Sequence, residues 1–573
     1  MKLQRAAAVR SANVIARAGK GQSKLAENIT QSGARSLTLI AHEFKTQFSK
    51  ERRGCSQTPS PAAEWEHGGP RRTHTAPVPT RTDSTSARKP AGTLLMRGPY
   101  GRDGLPNRVY VGLYAGQGFH VVLQSTRGTF GSEGAFEPGR HEVDDGADTV
   151  KWLHEQPWYT GEFATVGASY LGFTQLALLV DQPADLTTSV ITMAPHDFGH
   201  SVWSTGSFAL GDFLGWSYQV AWQHRGGWIR QILRGMATPR TLKPVLQTLP
   251  LDPAAAELLG GRTPWFNRWL EQPDPSSPYW AETGVAAALD NLRGPVLLIT
   301  GWQDAFMDQT LEQYRRLRAR GVEVALTVGP WTHGSGGTEA VKESVLWLDG
   351  SRRAAAPVRI CVVGGDWLDM QEWPPPAQEQ VWHLHPGAAL AETSPDSGAP
   401  STFVYDPADP TPSVGGRLLV SGKSGYIDDT ELAERSDVLT FTTPVLPADV
   451  DVIGTPYVEL DHRTDNPHAD LFVRISDVAP DGHSTNVTDG YLRLTAADAP
   501  EAHLRLELDA TAYRFAAGHR IRLLIAGGCF PRFARNLGTG DPLGTATRMV
   551  PSVHTVAHGD GGQSRLVLPV SGP

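Results

Sequence analysis

The chain predicts an α/β fold followed by an all-β C-terminal part, on three observations. From about Thr93 short apolar runs alternate with amphipathic helical stretches, the pattern of a parallel sheet with helical crossovers. Several of these runs are continuously apolar, as strands buried on both faces must be. After about residue 355 the helical signal fades into short alternating strands.

Each element has its own warrant. Leu94 to Met96 and His120 to Leu123 read as strands, and Asp144 to Gln156 as an amphipathic helix. Phe163 to Val166 is a short buried strand, Phe173 to Leu179 a helix, and Thr188 to Met193 the next strand. Residues 198 to 285 break the alternation with aromatic helical segments such as Leu214 to Tyr218 and Trp265 to Leu270, so a helical cap inserted between sheet strands is expected. Pro295 to Thr300 and Val324 to Val328 resume the sheet. In the C-terminal part, turns are expected at Asp481-Gly482 and Asp489-Gly490. The domains expected are therefore a catalytic α/β domain over 91–197 and 286–352, a cap over 198–285, and a β domain over 353–573.

Composition narrows the function. At 573 residues the chain should divide into about two to four domains. A net charge of −8 gives no reason to expect a nucleic-acid or anionic-membrane partner. No apolar run approaches the roughly 18 residues of a membrane span. Three cysteines, Cys55, Cys361 and Cys529, argue against a disulfide scaffold and fit a reducing, cytoplasmic setting. His141-Glu142 and His196 with His200 do not assemble a metal-ligand set, and neither metal nor cofactor is expected. Residues 1–90 form a basic extension: up to residue 53 there are 11 Lys and Arg against 3 Glu, and residues 55 to 90 are rich in Pro, Ser, Thr and Arg. Low order is expected there, with one loosely attached helix between Ala26 and Phe48.

The chemistry lies in Gly167-Ala168-Ser169-Tyr170-Leu171-Gly172, set between a strand and a helix. A serine between small residues at such a turn is the nucleophile elbow of an α/β-hydrolase. Side chains at 167 or 172 would collide with the turn. An acid and a base should follow, in that order, at later strand ends. Asp304 follows the run ending in Gly301-Trp302-Gln303, and His333 follows Gly329-Pro330-Trp331-Thr332. A helix N-cap for Asp304 and a surface or core histidine for His333 are the bland alternatives. In the catalytic reading His333 is the general base, Asp304 orients it, and the Tyr170 N–H is an oxyanion donor.

With these residues the chain resembles the cocaine-esterase and X-prolyl dipeptidyl-peptidase family of α/β-hydrolases. Further motifs carry the resemblance: Gly98-Pro99-Tyr100-Gly101-Arg102, Gln124-Ser125-Thr126-Arg127-Gly128, and Gly131-Ser132-Glu133-Gly134. Arg435-Ser436-Asp437-Val438-Leu439, Asp477 to Gly482, Gly518 to Leu523 and Asn536 to Gly540 extend it through the C-terminal third. It covers about residues 90 to 573. The resemblance implies a jelly-roll C-terminal domain and a second oxyanion donor, the Tyr100 hydroxyl, for which a structural tyrosine is the alternative. It also implies an opening β-hairpin with an Asp-Gly turn. Residues 67 to 91 show no such pattern, which a divergent extension or a displaced start would explain.

Within the family, the amino-ester branch places acidic residues two and three positions after the triad aspartate. Here Phe306 and Met307 stand there, and a buried ammonium would lack a partner. Phe306, with Leu419 and Val420, resembles the apolar acyl pocket of the cocaine-esterase branch; a sandwich-core role for the Leu-Val pair is equally compatible. The expected function is hydrolysis of small carboxylic esters through an acyl-enzyme. X-Pro dipeptidyl-peptidase activity on short peptides is the alternative, and a non-catalytic binding protein a further one.

Overall fold

A computed structural model of the chain describes residues 78–80, 91–102, 105–226, 228–419, 423–495, 501–559 and 563–571. The helix expected between Ala26 and Phe48, the expected low order of the extension apart from 78–80, and most of the space for the opening hairpin lie outside the described residues.

Nine strands form the first sheet: β1 Val78–Thr80, β2 Gly92–Gly98, β3 Phe119–Ser125, β4 Phe163–Ala168, β5 Leu186–Thr192, β6 Val296–Gln303, β7 Val324–Thr332, β8 Val358–Cys361 and β9 Trp367–Met370. Their order is β1-β3-β2-β4-β5-β6-β7-β8-β9. From β2 to β8 neighbours run parallel, while β1 on β3 and β9 on β8 are antiparallel. The continuous apolar runs are explained by burial: Leu94, Leu95 and Met96 in β2 and every residue of β6 lie inside, because helices cover both faces. β1 caps the β3 edge, so the sheet does not end on β3.

The order reverses between β2 and β4, which lie side by side. An open α/β sheet forms its crevice at such a reversal, beyond the carboxyl ends of the strands. Tyr100 follows β2 and Ser169 follows β4, so the topology itself brings these two loops together.

Between β5 and β6 the chain leaves the sheet for seven helices, of which Leu210–Trp222 and Trp228–Gln247 are the longest. They pack around Trp265, Trp269, Trp280, Phe208 and Phe266, in one continuous core with the sheet. Gln309 and Gln313, one turn apart on helix Met307–Ala319, fasten this insertion. Gln309 Oε1 accepts from the His196 and Asp197 N–H groups at 2.7 and 2.9 Å. Gln313 Nε2 donates to the Ala194 carbonyl at 2.9 Å. Among the described residues no helix is long and apolar enough to cross a membrane.

The C-terminal part is almost entirely antiparallel, with its own core built on Leu471, Val473, Ile475, Leu523, Ile525 and Leu566. Two expectations need correction. β8 and β9, expected to open this part, extend the first sheet instead, since β8 pairs in parallel register with β7. Short alternating strands do not reveal which sheet will receive them. Asp481-Gly482 is a turn, but Asp489-Gly490 lies within strand Ser484–Arg493. The Asp489 carboxylate pairs across the sheet with Arg474 at 2.7 Å, both side chains being buried. Gly490 serves close packing: a Cβ there would sit 2.2 Å from Leu506 Cδ2.

Candidate active site

Ser169 occupies the turn between β4 and helix Tyr170–Leu179 with φ 58° and ψ −126°, a conformation that L-residues seldom adopt. Its N–H is anchored on the Thr192 carbonyl at 2.9 Å. The flanking glycines are sterically required. A Cβ on Gly167 would lie 2.5 Å from Leu171 Cβ, and one on Gly172 would lie 2.4 Å from Ala194 Cβ. The strained turn holds the hydroxyl clear of the helix.

Asp304 and His333 stand just beyond the adjacent strands β6 and β7. The Asp304 carboxylate is fully buried. Its Oδ1 lies 2.6 Å from His333 Nδ1, and His333 Nε2 lies 3.0 Å from Ser169 Oγ. Oδ2 accepts from the Thr300 hydroxyl and the Phe306 N–H, each at 3.1 Å. The following helix is capped at Phe306 rather than at Asp304, whose Oδ1 faces the imidazole. With both oxygens accepting, His333 donates from Nδ1, which leaves Nε2 as an acceptor facing the Ser169 hydroxyl.

Tyr170 is the first residue of its helix, so its N–H has no partner within the helix. Its ring is locked from behind. The hydroxyl donates to Glu142 Oε1 at 3.0 Å and accepts from the Gly139 N–H at 3.0 Å. Glu142 in turn pairs with Arg97 at 3.1 Å, both side chains being buried. Burial pushes the Glu142 carboxyl up, and Arg97 and Tyr170 partly offset this. Tyr100 leaves 37% of its surface exposed, and its hydroxyl oxygen faces the inserted helices. That oxygen accepts from Trp216 Nε1 at 3.2 Å. Burial raises the phenol pKa, while hydrogen bonds with Trp216 and Ser169 oppose the rise.

Phe306 is buried and meets the His333 ring edge-on, with centroids 5.2 Å apart and planes at 87°. Leu419 is half-buried against the catalytic core, and its N–H donates to Asp212 Oδ1 at 2.8 Å. Val420 lies outside the described residues. The structure therefore brings Asp304, Phe306, His333, Ser169 and Tyr100 into one connected cluster, with His333 joining Asp304 and Phe306 to Ser169 and Tyr100 beside Ser169. Four residues that sequence reasoning gave no site role also belong here: Trp216, Thr300, Glu142 and Arg97. Trp216 stood out only as an aromatic of the inserted helices, with no local signal of its partner.

Two residues beyond Phe306, Asp308 joins an ionic cluster around a cavity of about 150 Å³. Asp308 faces His200 at 3.3 Å and Arg417 at 3.6 Å; against the upward push of burial, these cations hold its carboxyl well below the usual range. Asp509 lies 3.0 Å from Arg417, and Asp489 lies 2.9 Å from Arg532. Each of these carboxylates already has a basic partner. Among the described residues no group of three or more ligating side chains forms a metal site.

The chain is similar to known proteins over most of its length. Residues 73–335 match the X-Pro dipeptidyl-peptidase (S15 family), and residues 348–567 match the X-Pro dipeptidyl-peptidase C-terminal non-catalytic domain. The chain is 30% identical over 514 residues to the cocaine esterase of Rhodococcus sp. strain MB1 Bresler, spanning 79% of this chain and 88% of that protein. Two solved structures share the fold: an aminopeptidase from a marine sediment Thaumarchaeota archaeon and an α-amino acid ester hydrolase. Each has a TM-score of 0.70 at 20% identity; both cover 85% of this chain, and 92% and 93% of their own chains respectively. With an α/β-hydrolase sheet, inserted helices and a C-terminal β-sandwich of the jelly-roll kind, the chain is a serine hydrolase belonging to the cocaine-esterase and X-prolyl dipeptidyl-peptidase family.

Proposed function

We propose that the protein hydrolyses small, uncharged carboxylic esters through an acyl-enzyme on Ser169. The observation that carries the reading is the unbroken relay from Asp304 through His333 to Ser169, with links of 2.6 and 3.0 Å. His333 takes the serine proton as Oγ attacks the ester carbonyl, and returns it to the departing alkoxide as alcohol leaves. Water then enters the same path and releases the acid. The oxyanion of each tetrahedral intermediate is stabilised by the Tyr170 N–H and the Tyr100 hydroxyl, donors fixed before the reaction begins.

An apolar acyl pocket at Phe306, Leu419 and Val420 follows from the resemblance and is supported by the Phe306 ring lying against His333. A free α-amine would need an unengaged carboxylate near the acyl group. Asp308, the acidic side chain two residues after Phe306, is held by His200 and Arg417. The match to the X-Pro dipeptidyl-peptidase (S15) family favours a second reading, X-Pro dipeptidyl-peptidase activity. The deciding experiment compares kcat/KM for phenyl and benzoyl esters with X-Pro anilides, using Ser169→Ala as the blank. The proposal requires the esters to dominate; anilides turned over more efficiently would replace it with the peptidase reading.

A further inference from the structure

We propose that Trp216 is a positioning residue for catalysis, aiming the Tyr100 hydroxyl proton at the reacting centre through its indole N–H. The inference rests on the reading of Tyr100 as an oxyanion donor and adds what makes that donor effective.

The argument starts from donor inventories. An indole N–H can only donate, whereas a phenol oxygen carries one proton and can accept as well. Trp216 Nε1 lies 3.2 Å from Tyr100 Oη, so the direction of this bond is fixed: tryptophan donates and tyrosine accepts. The Tyr100 proton therefore cannot be used toward Trp216. The hydroxyl's other neighbour is Ser169, the nucleophile beside which the substrate carbonyl oxygen becomes the oxyanion. Accepting a hydrogen bond also polarises the phenol and strengthens it as a donor.

The indole is in turn held still. Trp216 is buried, and its ring lies near-parallel to two aromatic neighbours. Tyr170 is at 6.3 Å with an interplanar angle of 13°, and Trp269 at 6.2 Å and 6°. Phe136 meets its edge at 6.5 Å. Trp216 thus touches both oxyanion residues, by hydrogen bond to Tyr100 and by stacking on Tyr170. It is carried by helix Leu210–Trp222 of the inserted segment, so the insertion completes the oxyanion hole of the sheet domain.

The test removes the N–H and little else. Replacing Trp216 with β-(3-benzothienyl)alanine puts sulfur in place of N–H and preserves ring size and stacking. With phenyl acetate, kcat should fall about three- to tenfold, the range for one neutral hydrogen bond, with KM and Tm unchanged. Trp216→Phe should lose at least as much. In a Tyr100→Phe background the analogue should have no further effect, because the oxygen it acts through is gone. Unchanged kcat for the analogue beside a defective Tyr100→Phe would overturn the inference alone, as would equal losses in both backgrounds. Normal turnover by Tyr100→Phe would remove the oxyanion reading and the inference with it.

Discussion

Nε2 of His333 lies 3.0 Å from the Ser169 hydroxyl across 164 positions of chain. The contact exists because β4 and β7 end on the same edge of one sheet, each followed by a loop that projects over it. Ser169→Ala, and separately His333→Ala, should lower kcat on phenyl acetate by about a thousandfold or more with the fold unchanged by circular dichroism. Labelling by a fluorophosphonate probe should disappear in the serine variant. Near-normal turnover in either variant would end the covalent mechanism.

Tyr100→Phe deletes one oxygen that accepts from Trp216 and faces Ser169. We expect kcat to drop about a hundredfold with little change in KM, the signature of a contact made mainly in the transition state. Loss of thermal stability with specific activity retained would instead mark a structural tyrosine.

Phe306 stands against His333 where the amino-ester branch carries a carboxylate, and Asp308 is neutralised by His200 and Arg417. A neutral phenylacetate methyl ester should therefore beat phenylglycine methyl ester in kcat/KM at neutral pH, by about tenfold or more given the cost of burying an unpaired ammonium. A clear preference for the amino ester would refute the pocket assignment.

Acid should destabilise the β domain through a buried histidine pair. His462 Nε2 lies 3.0 Å from His554 Nδ1, Ser552 Oγ lies 2.9 Å from His554 Nε2, and Phe403 stacks on the His554 ring at 4.5 Å. Burial pushes His462 down to about 4; burial, then the His462 charge, takes His554 down to about 3. Both values lie below the unfolded value of 6.5, so in the window between them the unfolded chain binds more protons. Stability is thus complete above about pH 6.5 and declines as pH falls through that window. Calorimetric Tm should drop from about pH 6.5 to about pH 4, less steeply in a His462→Gln/His554→Gln variant. An equal slope in that variant would acquit the pair.

Arg474, fully buried, binds Asp489 through two nitrogens at 2.7 and 3.0 Å and lies 3.4 Å from Asp429. Arg474→Met should cost about 3–5 kcal/mol in urea unfolding, because the carboxylates lose their cation. A cost below about 1 kcal/mol would mean that Arg532 alone suffices for Asp489.

Elements whose causes are local were legible in the order of residues. Gly167 and Gly172 are demanded by collisions within one turn and its immediate support, and the runs around β4, β6 and β7 are apolar because those strands are covered on both faces. Since an α/β sheet keeps its chemistry at its strand ends, Ser169, Asp304 and His333 could be named from order and position alone. Features that depend on distant partners were settled by folding alone. Asp489-Gly490 has the composition of a turn, yet Arg474 and Leu506 make it a strand. β8 could have joined either sheet until β7 offered it a parallel edge. Trp216 acquires its place 116 positions from Tyr100, because a helical insertion folds back over the crevice, and no periodicity within that helix encodes which hydroxyl its indole will meet.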